Sequence, residues 1–303
     1  MPKITLKDYN ELIKQERIAS FDKPYDLAYN AFEKLGYFLH DEEFFKKNAS
    51  TIVENVRKEC WDLYVPEEKK FCAKMLKKLI DKDVVADMSP VQAIEWFATE
   101  YPEHIYSLNL SNTQSRRSRA GKEFEAIIEL ILVGANIRYD SQGNIGKSIF
   151  VDKGLGKLVD VVVPSAQEFN LNKFSTVLIS AKTTLRERWQ EVPEEMGRTG
   201  ARDMYLVTLD DSVTDEVITA LYEANIQLVT TKSIKDDNYA KKPSVVDFET
   251  LIDKCAKVDA SWSTYTYSTS DLTDLRNAIK KEKKKRANHP FVIKYLNKKE
   301  KKL

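Results

Sequence analysis

An aspartate and a lysine lie in two apolar runs near the middle of the chain. Asp160 lies within LVDVVVP (158–164), and Lys182 ends TVLISAK (176–182). An isolated buried charge is costly, so each side chain needs a partner or a metal. A carboxylate holds a hard divalent cation such as Mg²⁺ through oxygen, and the cation lowers the pKa of a bound water. The pair therefore suits metal-assisted hydrolysis of a phosphodiester bond, in which the lysine orients the water or stabilises charge on phosphorus.

A single carboxylate makes a poor Mg²⁺ site, so a second acid is expected close to Asp160. Glu195 lies thirteen residues beyond Lys182, and Glu125 lies on the helix predicted to precede the sheet. Glu194 is adjacent to Glu195 and is its main rival. Each of these acids is a candidate for the second ligand.

Three alternating charges follow the lysine directly, at Arg186, Glu187 and Arg188. An arginine bonds bidentately to guanine O6 and N7, and a glutamate accepts from the N4 amine of cytosine. The triplet can therefore read a G·C-rich half-site in the major groove. The alternative is an exposed cluster of weak ion pairs.

A basic segment, SRRSRAGK (115–122), precedes an apolar-striped helix. Arg116, Arg117 and Arg119 would contact phosphates there and set the register on DNA without reading sequence. Gln114 is next to them and can bond a base edge. A plain basic loop is the alternative interpretation.

Arg57 and Trp61 are spaced i, i+4 on a helical stretch and so share a face. A tryptophan and a guanidinium plane can sandwich an unstacked base. The alternative is a core tryptophan beside an exposed arginine.

The charge of the chain is unevenly distributed. The net charge of the 303 residues is only +1, yet residues 276–303 hold twelve Lys/Arg and two Glu. This asymmetry suggests a polyanionic partner, or else a solvated C-terminal helix. Three scattered cysteines favour a reducing cytosol over a disulfide or zinc framework. Without an export signal or a long apolar run, we expect a cytoplasmic protein.

The periodicity predicts an α/β protein with a mixed sheet of about five strands flanked by helices. We expect one catalytic unit, 1–303, with a mostly helical region at 1–110, a core at 111–240 and a helical basic region at 241–303. The predicted strands are SIFVD (148–152), LVDVVVP (158–164), TVLISAK (176–182), DMYLVTL (203–209) and IQLVTT (226–231). Residues 214–225, between the last two strands, should form the helix of a parallel crossover, and helices are also predicted at 244–258 and 271–286.

The order of these residues resembles the PD-(D/E)XK nuclease superfamily. The matching positions are Glu125, Asp160, Ser180–Lys182 and Glu195. One position departs from the usual motif, because Ser180 stands where an acid is expected. In one branch of the superfamily the following helix supplies that acid, and Glu195 fits this permutation. The resemblance therefore implies that Asp160 and Glu195 hold the metal.

That branch is the CCGG group of type IIP restriction endonucleases. KTTLRERW (182–189) is similar to the signature of its SsoII, PspGI and EcoRII members, and SRRSRAGKEFE (115–125) is similar to their segment carrying the first glutamate. The resemblance covers roughly 110–240. It implies a Mg²⁺-dependent endonuclease whose RER triplet reads CC:GG.

The resemblance also implies a site of the CCNGG type, cut before the first C. The central nucleotide, any base or only A/T, would be flipped out between Arg57 and Trp61. Partners would be double-stranded DNA, a second copy in a homodimer or a tetramer on DNA, and a methyltransferase acting on the same site. Two other functions stay open: a structure-selective repair or recombination nuclease, and a non-catalytic DNA-binding regulator.

Overall fold

The computed structural model describes residues 4–156, 159–202 and 204–303, without the side chains of Glu187 and Glu195. Its sheet has the strand order β1-β2-β3-β4-β5-β6. The strands are β1 Asp140–Ser141, β2 Val161–Val163, β3 Val177–Lys182, β4 Met204–Thr208, β5 Ile226–Thr230 and β6 Val245–Asp247. Pairing is antiparallel from β1 to β3 and parallel from β3 to β6.

Helices account for most of the remaining described chain. They are α1 Leu6–Ser20, α2 Pro24–Lys34, α3 Glu42–Lys47, α4 Ala49–Lys77, α5 Lys82–Val85, α6 Pro90–Glu100, α7 Pro102–Gly134, α8 Gln142–Ile145, α9 Lys147–Asp152, α10 Ala166–Leu171, α11 Glu191–Thr199, α12 Asp215–Glu223, α13 Lys232–Asn238, α14 Phe248–Ser261, α15 Thr269–Lys285 and α16 Pro290–Lys301. Short 3-10 helices occur at Tyr37–Leu39, Lys173–Ser175 and Arg186–Gln190. None of the helices in the described ranges is both long and apolar enough to cross a membrane.

The chain divides into two compact units. The first comprises Met1–Leu27 and Lys58–Glu123, and the second comprises Ala28–Arg57 and Phe124–Leu303. In its described part the first unit is helical. Its α6 starts at a capping box on Ser89 with proline at the first position, which satisfies backbone N–H groups that a helix start leaves unpaired. Its buried cluster includes Tyr9, Ile13, Phe71, Met75, Leu79, Tyr101 and Leu108.

The second unit contains the sheet. Strands β2 to β5 are rich in valine, isoleucine and leucine and are almost fully buried, as expected for strands covered on both faces. One cluster packs residues of the sheet, such as Leu178, Leu206 and Leu228, against residues of α11 and α12, such as Val192 and Leu221. This cluster lies directly beside the end of β3.

The predicted α/β fold with a mixed, helix-flanked sheet is confirmed. Four predicted strands match β2 to β5, although residues 157, 158 and 203 lie outside the described ranges. β4 and β5 are parallel and joined by α12, as predicted.

The prediction of a strand at 148–152 is wrong, because these residues belong to α9. Periodicity alone does not distinguish a five-residue apolar run in a strand from one in a buried helix. Two short strands were not predicted: β1, and β6 at the start of the segment predicted as the helix 244–258.

The basic segment 115–122 lies inside α7, so its predicted position ahead of the helix is also wrong. Its arginines and its single glycine do not interrupt the helix.

Candidate active site

The backbone pairing of β2 and β3 places Asp160 beside the end of β3. Asp160 lies one residue before β2, and its N–H donates to the Ile179 carbonyl at 2.9 Å. Side chains alternate along a strand, so Lys182 and Ser180 share the face of Leu178, which is in the buried cluster. Two of the four predicted catalytic residues, Asp160 and Lys182, therefore lie together at the end of β3.

Asp160 and Lys182 form an ion pair. Lys182 Nζ donates to Asp160 Oδ2 at 3.2 Å and to the Ala181 carbonyl at 3.1 Å. The Ala181 N–H donates to the same Oδ2 at 2.7 Å. The side chains of Asp160 and Lys182 are 11% and 14% exposed, so solvent still reaches them. All the bonds described for this carboxylate go to Oδ2, which leaves Oδ1 without a donor among the described residues.

Ser180 occupies the position where the resembled motif carries an acid. It is fully buried, and its hydroxyl has no hydrogen-bond partner among the described residues. A short hydroxyl at this point does not supply a carboxylate to the site, so the second acid must come from elsewhere in the chain.

Helix α11 begins nine residues after β3 and covers the same cluster. It buries Val192 and Met196. Glu194 is on the exposed side of the helix, and its Oε1 pairs with Arg198 at 2.5 Å. The side chain of Glu195 lies outside the described residues. In this conformation Glu194 points into solvent, and the choice of Glu195 over Glu194 as the metal ligand stays a prediction.

The assignment of Asp160 and Glu195 as the metal ligands stays a prediction. No three His, Cys, Asp or Glu side chains within the described residues lie close enough together to hold a metal ion, but the Glu195 side chain is outside that set. Glu125 is half-buried on α7, and its role stays a prediction. Two oxygens lie at the end of β3, Asp160 Oδ1 and the Ala181 carbonyl oxygen. Oxygens of these two types are ligands that suit a hard cation.

The arginine-rich triplet lies in the 3-10 helix Arg186–Gln190. Leu185 before it is buried, and Trp189 within it packs against the same cluster. Arg186 and Arg188 are exposed between these two apolar contacts. Arg188 Nη2 donates to the Thr184 carbonyl at 2.5 Å. The Glu187 side chain lies outside the described residues.

Arg186 has a left-handed backbone, with φ at +43°. This region is sparsely populated by residues other than glycine, so the surrounding contacts must hold it.

The loop after β4 supplies one such contact, which the sequence analysis missed. Asp210 Oδ2 accepts from the Leu185 N–H at 3.0 Å. The available signal was the polar triplet Asp-Asp-Ser at 210–212, which begins two residues after a buried strand parallel to β3.

Two of the arginines on α7 take part in hydrogen bonds within the first unit. Arg116 Nε donates to both carboxylate oxygens of the buried Glu68 at 2.9 Å, and this bonding raises the pKa of Arg116. Tyr64 also donates to Glu68 at 2.9 Å. Arg119 Nη1 donates to the Asp22 carbonyl at 2.8 Å.

The remaining predicted DNA contacts on α7 are on its surface. Arg117 and Gln114 are both exposed. They differ in this respect from Arg119, whose side chain is only 13% exposed and whose Nε lies 3.3 Å from Glu123.

Trp61 and Arg57 both lie on α4. Trp61 is 51% exposed, so the alternative of a core tryptophan is wrong. The guanidinium carbon of Arg116 lies 5.7 Å from the Trp61 ring centroid, and the Tyr64 ring lies 6.2 Å away. Arg57 is exposed.

The chain is similar to known proteins along most of its length. A family model described as EcoRII C terminal matches residues 81–252. The type II restriction enzyme SsoII of Shigella sonnei is 46% identical over 295 residues, which is 97% of both chains.

Two kinds of solved structure are also similar. Metal-depleted Ecl18kI in complex with uncleaved DNA is 44% identical with a TM-score of 0.93, over 98% of this chain and 100% of that one. The PspGI–substrate DNA complex is 18% identical with a TM-score of 0.59, over 80% and 94%, and shows the fold alone.

The family match covers more than half of the chain, and the similarity to SsoII extends over nearly all of it. The family predicted from the sequence is thereby confirmed. The chain belongs to the type II restriction endonucleases, which are site-specific endonucleases, and to their EcoRII C-terminal family.

Proposed function

We propose that this enzyme cuts double-stranded DNA at a CCNGG-type site, before the first C, with Mg²⁺ as its cofactor. The observation that carries the proposal is the short connection between two features. The partly exposed Asp160–Lys182 pair ends β3, and the exposed Arg186 and Arg188 follow within six residues. Reading and cutting would thus be done by one continuous segment.

Asp160 and Glu195 would hold the Mg²⁺, with Glu125 as a further acid of the site. Bound there, the cation would polarise the scissile phosphate and lower the pKa of a water. The support is chemical: Asp160 Oδ1 has no donor among the described residues, and Lys182 Nζ already bridges two oxygens at this point, from Asp160 and Ala181. Lys182 would orient the attacking water and stabilise charge on the phosphorus.

Base recognition would come from Arg186, Glu187 and Arg188, with Gln114 near the centre of the site. The arginines would bond guanine O6 and N7 and the glutamate would accept from cytosine N4. Arg188 would first have to release the Thr184 carbonyl.

The phosphate contacts would come from Arg116, Arg117 and Arg119. Arg117 is exposed and available for this role. Arg116 and Arg119 already bond Glu68 and the Asp22 carbonyl, so they would contribute partly by keeping α7 in place.

The central nucleotide would be flipped out and stacked by Trp61 with Arg57. The exposure of Trp61 supports this role, because half of its surface is accessible to a base. Stacking on an aromatic side chain is worth about 1–3 kcal/mol per base.

The oligomeric state and the cellular location are inferred from the proposed reaction. A palindromic site is read by a two-fold symmetric protein, so the enzyme would act as a homodimer, or as a tetramer on DNA. It would act in the cytoplasm of a prokaryote, beside a methyltransferase that modifies the same site. The similar Ecl18kI structure is a complex with uncleaved DNA, which supports duplex DNA as the substrate.

The test is digestion of plasmid DNA with Mg²⁺, with an EDTA control and sequencing of the fragment ends. Ends at one CC-x-GG position would support the proposal and identify the central base. Ragged ends without a common sequence would favour a structure-selective nuclease. Binding to the same DNA in a gel shift, without cutting, would favour a non-catalytic regulator.

A further inference from the structure

The loop after β4 holds the chain between Lys182 and Arg186. Lys182 pairs with Thr208 at the end of the β3–β4 ladder. Beyond it, the Leu209 N–H donates to the Thr183 carbonyl at 3.3 Å, which extends the pairing by one step. The segment that carries the arginines therefore starts from a fixed edge of the sheet.

Asp210 adds the last contact before the arginines. Its Oδ2 accepts from the Leu185 N–H at 3.0 Å, and Leu185 is itself 2% exposed. Both the backbone and the side chain of Leu185 are therefore held, directly before the left-handed turn at Arg186. At the other end of the 3-10 helix, Trp189 packs against the buried cluster.

The loop that carries Asp210 is held by its neighbours. The Asp210 N–H donates to Thr208 Oγ1 at 3.2 Å, and Oδ1 accepts from the N–H and hydroxyl of Ser212 at 3.2 and 3.0 Å. The buried Tyr239 hydroxyl donates to the Asp210 carbonyl at 3.1 Å and accepts from the Val213 N–H at 2.8 Å. A carboxylate anchored in this way has one orientation, with Oδ2 towards Leu185.

We infer that Asp210 is a positioning residue that sets the distance between Lys182 and the base-reading arginines. Through Asp210, the segment that carries Arg186 and Arg188 is held against the same pair of strands that positions Lys182. Base contact and cutting therefore share one backbone support. The inference rests on the proposed function, in which those arginines read the site. Asp210 touches neither DNA nor metal in this role.

The test compares Asp210→Ala with Asp210→Asn in the full-length enzyme. Cutting is measured in single-turnover reactions with Mg²⁺ on a duplex carrying the site found by end sequencing, and on the same duplex with one outer base pair changed. Affinity is measured by gel shift in EDTA. Stability is measured by thermal unfolding.

Asp210→Ala is expected to slow cutting of the site about 100-fold, the loss that follows a displacement of about 1 Å in a reacting group. The preference for the site over the altered duplex should fall about tenfold, within the value of one good base contact. Affinity should change only a few-fold, because the phosphate contacts are untouched. Asp210→Asn keeps an acceptor oxygen for Leu185 and should recover cutting to within about tenfold of wild type.

Asp211→Ala is the matched control, since Asp211 is the exposed neighbour of Asp210. It should leave rate, preference and affinity unchanged. If wild type cuts at one site and Asp210→Ala keeps both rate and preference, the inference is overturned while the proposed function stands. It is also overturned if both variants lose stability and cutting together, without a change in preference. Absence of site-specific cutting by wild type would instead overturn the proposed function and the inference with it.

Discussion

Two of the aspartate–lysine pairs in the second unit differ in their surroundings. Asp160 Oδ2 and Lys182 Nζ are 3.2 Å apart, with side chains 11% and 14% exposed. Asp140 Oδ1 and Lys299 Nζ are 3.7 Å apart, with side chains 5% and 4% exposed. The same two residue types thus form one pair that solvent reaches and one that it hardly reaches.

The buried pair is part of a larger charged network. Asp140 Oδ2 accepts from the Ala166 N–H at 3.0 Å, and Lys299 donates to the Tyr139 carbonyl at 3.0 Å. Burial raises the pKa of Asp140, which Lys299 opposes. In the same part of the unit, Arg286 pairs with Glu129 at 3.1 Å.

The difference in solvent access indicates different roles for the two ion pairs. A buried pair whose groups already bond backbone and side chains fixes the structure, and breaking it leaves an uncompensated charge. The Asp160–Lys182 pair keeps solvent access and an oxygen without a described donor, which a metal and a water require. We therefore propose a catalytic role for the pair at the end of β3 and a structural role for the pair on β1 and α16.

The largest expected effect is on cutting by Asp160→Asn. The change keeps the shape but removes the charge that would hold the metal, so the cutting rate should fall by about 10³-fold, as when one essential charged or hydrogen-bonding group is removed. Single-turnover cutting with Mg²⁺ and a gel shift in EDTA measure the effect, and binding should persist. Thermal unfolding should change little. If this variant cuts at the wild-type rate, Asp160 is not required for the reaction.

The next effect is on stability, in Lys299→Met. Removing this ammonium leaves Asp140 and Glu282 buried without one of their cations, and the free energy of unfolding should fall by about 3 kcal/mol. Urea denaturation measures it. The folded enzyme should still cut at the wild-type rate.

Lys298→Met is the matched control on the same helix. Lys298 is 51% exposed and pairs with Glu42 at 3.5 Å, so its replacement should change the free energy of unfolding by less than about 1 kcal/mol. Equal losses from the two variants would contradict the distinction between buried and accessible charge.

A smaller effect concerns pH. Burial raises the pKa of Glu282 to about 7, with Lys299 opposing and Glu129 and Asp140 adding to the rise. The unfolded chain has the ordinary value of 4.5, so between pH 4.5 and 7 the folded state binds more protons. The free energy of unfolding should therefore fall as pH rises through this window.

Glu282→Gln removes that titration and should flatten this part of the pH dependence. Urea denaturation at pH 5 and pH 7.5, in wild type and variant, measures the difference. Other buried acids such as Glu168 titrate in both proteins and cancel in the comparison. An identical fall in both proteins would show that Glu282 is already ionised at pH 5.

The sequence was informative where a charge interrupts an apolar run. Asp160 and Lys182 stand out because a buried charge is costly, and the structure places them together at 3.2 Å. The strands around them were found because strands buried on both faces have continuous apolar runs. The exposed Trp61 shows the limit of such reasoning, since residue type alone favours the core.

Other features depend on tertiary contacts that no local pattern reveals. Asp140 lies in a strand of only two residues, and Lys299 belongs to a run of lysines that looks like a solvated surface. The burial of Lys299 arises where α16 packs near β1. In the same way, Asp210 meets Leu185 only because β3 and β4 are parallel neighbours.

Ser180→Ala should have the smallest effect. It tests whether the Ser180 hydroxyl takes part in the reaction beside Asp160 and Lys182. The Ser180 hydroxyl is buried, with no hydrogen-bond partner among the described residues, so its loss removes a desolvated group without breaking a bond. The free energy of unfolding should change by less than about 1 kcal/mol, and cutting should stay within a few-fold of wild type. Urea denaturation and single-turnover cutting measure these two quantities. A loss of cutting as large as that of Asp160→Asn, with stability unchanged, would instead show that the hydroxyl takes part in the reaction. The proposed catalytic residues at the end of β3 would then include Ser180 as well as Asp160 and Lys182.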